Sequence, residues 1–99
     1  MAEKKMTTCD AVVYMLKNWP LGLERTGAAV EREVRRILFM NKSDEYPSGN
    51  TIMRRFREKK DLFCIESTMH GQHSKYVRVG LFKVSAIIYK PSEGARVNG

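Results

Sequence analysis

Between Pro47 and Lys60 the chain reads PSGNTIMRRFREKK, and little but an amphipathic helix accommodates that pattern. Ser48 stands where a helix start needs an oxygen to accept an orphan backbone N–H. Ile52 and Phe56 recur four residues apart and so share one face. At about 100° per residue, Asn50, Arg54 and Arg57 fall on the opposite face, with Thr51, Arg55 and Glu58 on its shoulders. Residues 50–60 carry five basic side chains and one acid, a net +4 out of +7 for the whole chain. The positive charge is concentrated on one side of one helix whose other side belongs in a core.

The next segment has a different period. Leu62 to Thr68 (LFCIEST) favours β structure, His70-Gly71-Gln72 interrupts it, and Lys75 to Val79 (KYVRV) alternates. This is a hairpin pattern around a Gly-containing loop, with Val77 and Val79 on the expected inner face and Tyr76 and Arg78 outside. Upstream, Thr7 or Thr8 can cap a first helix whose apolar stripe is Cys9, Val12, Met15, Leu16 and Trp19, ended by Pro20. Leu21 and Leu23 alternate as a short strand would. Thr26-Gly27 opens a second helix, about Ala28 to Met40, with Val30, Val34, Ile37 and Leu38 inward and Glu31 placed to pair with Arg35. Phe39 lies off that stripe, to pack at the helix end or to serve a partner, packing being the favoured explanation. Asn41 to Tyr46 (NKSDEY) is a polar connection.

Helix, short strand, two further helices and a hairpin, with the charge on the third helix, resemble the winged helix-turn-helix domain. The resemblance spans roughly Thr7 to Val79 and rests on element order and charge placement. It implies an α+β fold with three helices and a two- or three-stranded antiparallel sheet. The expected core is Val12, Leu16, Trp19, Val30, Val34, Ile37, Ile52, Phe56, Phe63, Ile65, Val77 and Val79. The domain is expected over residues 7–90, between a frayed 1–6 and a disordered tail 91–99 rich in Pro, Ser and Gly. Segment 81–90 (LFKVSAIIYK) is apolar on both faces, so it must pack on its own domain or form a dimer interface.

The function implied is sequence-specific binding of double-stranded DNA by a small transcriptional regulator or a plasmid or viral accessory factor. The third helix would enter the major groove, where arginine matches guanine and asparagine matches adenine. Candidate DNA contacts are Ser48, Asn50, Thr51 and Arg54 early in that helix, and Arg55, Arg57 and Lys60 toward the phosphates. Gln72 and Lys75 would act from the hairpin tip. Two alternatives stay open: a winged helix that binds RNA, and a protein assembly module without a nucleic-acid role.

The remaining patterns exclude more than they suggest. Cys64, His70 and His73 fall close together with Cys9 as a possible fourth ligand, but no paired C-x2-C or H-x3-H spacing orients them, so no metal or other cofactor is expected. No Gly-rich phosphate loop, nucleophile elbow or H-E-x-x-H occurs, and neither an enzyme activity nor a small-molecule substrate is evident. No apolar run approaches about 18 residues, so no membrane association is expected. The absence of a leader pattern and of a disulfide framework points to the cytoplasm or nucleus.

Overall fold

The computed structural model describes residues 5–69, 74–84 and 87–90. It is an α+β structure: α1 (Thr8–Lys17), β1 (Glu24–Thr26), α2 (Gly27–Met40), α3 (Gly49–Lys59), a 3-10 turn (Lys60–Phe63), β2 (Ile65–Met69), β3 (Lys75–Arg78), β4 (Phe82–Val84) and β5 (Ile87–Tyr89). The first three strands form an antiparallel sheet in the order β1-β3-β2, and β4 pairs with β5 in a separate two-stranded sheet.

Side-chain oxygens start each helix. Thr7 accepts the Asp10 N–H while the Asp10 carboxylate accepts the Thr7 N–H, a reciprocal box that satisfies two orphan donors at the start of α1. Thr26 caps α2 through the Ala29 N–H, and Ser48 caps α3 through the Thr51 N–H. The loop before α3 is also tied down. Glu45 Oε1 accepts both the Thr8 N–H (2.7 Å) and the Thr8 hydroxyl (2.6 Å), so the α2–α3 connection is clamped to the beginning of α1. Part of the segment expected to fray is held: Lys5 pairs with Asp44 at 3.2 Å, Met6 packs on the core and the Met6 carbonyl accepts from Ser43 Oγ.

The core is formed where the three helices meet the sheet. Val12, Leu16, Trp19, Val30, Val34, Ile37, Ile52, Phe56 and Ile65 are buried as the sequence pattern requires, joined by Ala11, Met15 and Leu38. Phe63 packs partly buried against them. An aromatic column crosses this core. Trp19 stacks on Phe56 at 6.1 Å, and Phe56 meets Tyr76 edge-on at 4.8 Å. Three chain segments, the residues after α1, α3 and β3, therefore hold one another through Phe56.

Four expectations are corrected. The inner face of β3 is Tyr76 and Arg78, each 7% exposed, while Val77 is half-buried and Val79 exposed. Alternation alone assigns the valines inward, since a period of two cannot say which set faces the core. The early strand is Glu24–Thr26 rather than Leu21–Leu23. There the chain turns, with Gly22 at φ +80 and the Leu23 carbonyl accepting from the Trp19 indole, so Leu21 and Leu23 stay exposed. The run Leu62–Thr68 becomes strand only at Ile65, because Lys60–Phe63 coils on and Cys64 adopts a left-handed φ of 57. Phe39 does not pack at the helix end; it is 81% exposed.

Arg78 supplies the reason for its own burial. Its Nε donates to the Gly80 carbonyl, Nη1 to the Lys17 and Trp19 carbonyls, and Nη2 to the Leu81 carbonyl, while its plane lies over Phe63. Lys17 and Trp19 sit at the end of α1, where helix carbonyls lack partners and a cation is favoured. Burial lowers the guanidinium's pKa, yet arginine starts so high that the group keeps its charge.

Candidate nucleic-acid interface

α3 is positioned by its inner side. Ile52 and Phe56 are fully buried and Met53 packs at the core edge, which fixes the rotation of the helix about its axis. That rotation leaves Asn50, Arg54 and Arg57 exposed on one outward face. Arg54 and Arg57 form neither an ion pair nor a hydrogen bond with any described residue. Both side chains are exposed, and among the described residues nothing competes for their guanidinium groups.

The other candidate residues divide into groups. Ser48 and Thr51 are exposed, but their hydroxyls are engaged at the helix start. Ser48 Oγ accepts the Thr51 N–H at 3.2 Å and donates to Thr51 Oγ1 at 3.1 Å. Arg55 is half-buried and bonded to Glu58 at 3.1 Å, which raises its pKa. Lys60 lies 3.2 Å from Asp61. On β3, Lys75 stands 3.9 Å from Glu24 on neighbouring β1, a loose pairing that a phosphate can displace. Gln72 lies outside the described residues. The structure therefore groups Asn50, Arg54 and Arg57 as one unobstructed surface and ties Arg55, Lys60 and Lys75 to carboxylates.

One acid was not foreseen near this surface. The Glu31 carboxylate lies against Gly49, its Oε1 2.7 Å from where a Cβ on that glycine would stand. It also meets Arg35 Nη1 at 3.5 Å. A carboxylate at the first residue of α3 satisfies the positive end of the helix dipole from within the molecule. This end of α3 is thereby less suited to an external phosphate than the exposed arginines further along. The sequence shows the Glu31–Arg35 spacing but carries no signal that α3 begins beside it.

A second unforeseen feature is an open cleft of about 740 Å³ between the end of α2 and the connection to α3. Phe39, Met40 and Tyr46 line it and are exposed by 81, 65 and 90%. Only the off-stripe position of Phe39 hinted at it.

Among the described residues no group of three or more His, Cys, Asp or Glu side chains is arranged to hold a metal ion, and His70 and His73 lie outside them. Cys64 is buried, which raises its thiol pKa, and Cys9 is half-buried. Among the described residues, no helix is long and apolar enough to cross a membrane. No family model, no curated protein and no solved structure matches the chain.

Proposed function

We propose that this protein binds double-stranded DNA as a winged helix-turn-helix domain, with α3 in the major groove and the β2–β3 hairpin against the flanking backbone. The observation that carries the reading is the exposed Arg54–Arg57 face, unpaired among the described residues, with Asn50 beside it, on a helix whose opposite side is locked into the core. Most of the other arginines are occupied: Arg35, Arg36 and Arg55 by carboxylates, Arg25 over the Trp19 ring, and Arg78 by carbonyls. Arginine and asparagine are also the residues whose paired donors and acceptors fit guanine and adenine edges. The antiparallel arrangement of β1, β3 and β2 behind α3 is consistent with the winged-helix order. Occupancy of a site, as by a small transcriptional regulator, is the mode of action such a domain supports.

The test is fluorescence anisotropy on mixed-sequence duplex DNA across a salt series, comparing the parent with Arg54→Ala/Arg57→Ala. Each lost phosphate contact flattens the slope of log K against log salt by about 0.9. A parent that fails to bind duplex DNA at low salt, or a double variant that binds with undiminished affinity and slope, refutes the assignment. Binding of duplex RNA in preference to DNA would redirect it to RNA.

A further inference from the structure

The β4–β5 hairpin is built inside out. Its register pairs Phe82 with Tyr89, Lys83 with Ile88 and Val84 with Ile87. Side chains alternate across a strand, so Phe82, Val84, Ile87 and Tyr89 share one face and Lys83 and Ile88 the other. The face with Ile88 is turned to the body. A Cβ on Gly80 would stand 2.6 Å from Ile88 Cγ2 and 3.1 Å from Cys64 Sγ, so only glycine lets the hairpin lie this close. Alternation puts Lys83, the partner of Ile88, on that side as well. The base of the hairpin is held by Arg78, whose guanidinium takes the Gly80 and Leu81 carbonyls, and by the Leu81 N–H bonded to the Tyr89 carbonyl.

What remains is an outward face of four large apolar side chains with no charge among them. Phe82, Val84, Ile87 and Tyr89 are exposed by 44, 52, 59 and 42%, and the Phe82 and Tyr89 rings stack at 4.4 Å. A two-stranded sheet with one bare apolar face is marginal in water and gains most from a second sheet laid over it.

We propose that the outer face of β4–β5 is a dimer interface, packed against the same face of a second copy about a two-fold axis. The face is self-complementary. An antiparallel placement sets the aromatic pair at the base of one hairpin over the aliphatic pair at the tip of the other. It brings no like charges of the strands together, because Lys83 lies behind. A strongly acidic or basic partner finds nothing on it to pair with, whereas a symmetric apolar patch is the usual basis of closed dimers. The anchoring by Arg78 and the close approach at Gly80 hold this face at a set angle to the domain, so dimerisation also sets the separation of the two α3 helices.

Sedimentation velocity over a concentration series, without DNA, tests this independently of the proposed function. The parent is expected to sediment at twice the 11.4 kDa chain mass. Val84→Ser/Ile87→Ser, and separately Ile87→Lys, are expected to sediment as folded monomers with an unchanged circular dichroism spectrum. Phe39→Ser/Tyr46→Ser, in the α2–α3 cleft, is expected to remain dimeric. A parent that stays monomeric at hundreds of micromolar overturns the proposal. So does a dimer that survives both hairpin variants, and a dimer lost only in the cleft variant moves the interface to Phe39 and Tyr46.

Discussion

Arg78 shows how one side chain can decide the orientation of a strand. Its sequence neighbourhood, KYVRV, favours the valines as the buried set, and each valine would contribute about 1.5–3 kcal/mol if fully covered. The guanidinium offers something a valine cannot: paired donors to four carbonyls belonging to the end of α1 and the exit of β3. The Gly80 and Trp19 carbonyls are buried and would each cost about 1–3 kcal/mol without a partner, and the part-buried Lys17 and Leu81 carbonyls add to that, enough to offset the gain from valine. Arg78→Met is therefore expected to destabilise the fold by several kcal/mol despite its similar bulk, and Arg78→Lys to recover only part, since an ammonium cannot span the same fork. Chemical denaturation of the two variants against the parent checks the order Arg, Lys, Met. Equal stability of Met and parent would show that the carbonyls find water instead.

At the scale of elements, the helix starts are where local sequence and structure agree best. Thr7, Thr26 and Ser48 each accept the third following N–H or its equivalent, as their types and positions require. The connection between α2 and α3 is less transparent. NKSDEY reads as a solvated linker, yet Glu45 closes it onto Thr8. The Thr8 hydroxyl, then its N–H, hold the Glu45 carboxyl below its usual pKa, and Arg36 does the same for Glu33. A depressed folded-state pKa means the unfolded chain binds the proton first. The stabilisation is therefore complete above the ordinary glutamate range and is lost as pH falls through the depressed value. Glu45→Gln is expected to melt below the parent at neutral pH and to converge with it in acid, as read by a melting series across pH. A difference that persists undiminished in acid would show that the clamp acts through shape rather than charge.

For the molecule as a whole, binding and folding should separate along the two sides of α3. Phe56 is the centre of the Trp19–Phe56–Tyr76 column and is fully buried, so Phe56→Ala is expected to cost about 3–5 kcal/mol. Arg54→Ala/Arg57→Ala removes exposed, unpaired side chains and is expected to change stability by no more than about 0.5 kcal/mol. Melting temperature and anisotropy measured on the same samples check the separation. A marked fall in melting temperature of the arginine variant would mean that its side chains support the fold. The two apolar surfaces, at β4–β5 and at the α2–α3 cleft, belong to this scale as well, since no local property of their residues demands exposure.

The α+β class, the three helices to within a residue or two, most of the core and the basic outward face of α3 were legible in the sequence. Each follows from a period, a cap or a charge count within about a dozen residues. The face of β3 that turns inward, the clamp of Glu45 on Thr8, the carboxylate of Glu31 at Gly49 and the bare face of β4–β5 were decided only by the tertiary structure. Each of these joins groups from separate elements, and in the first case an alternating strand permits either answer. Only the carbonyls waiting at the end of α1 make arginine, rather than valine, the residue that goes inside.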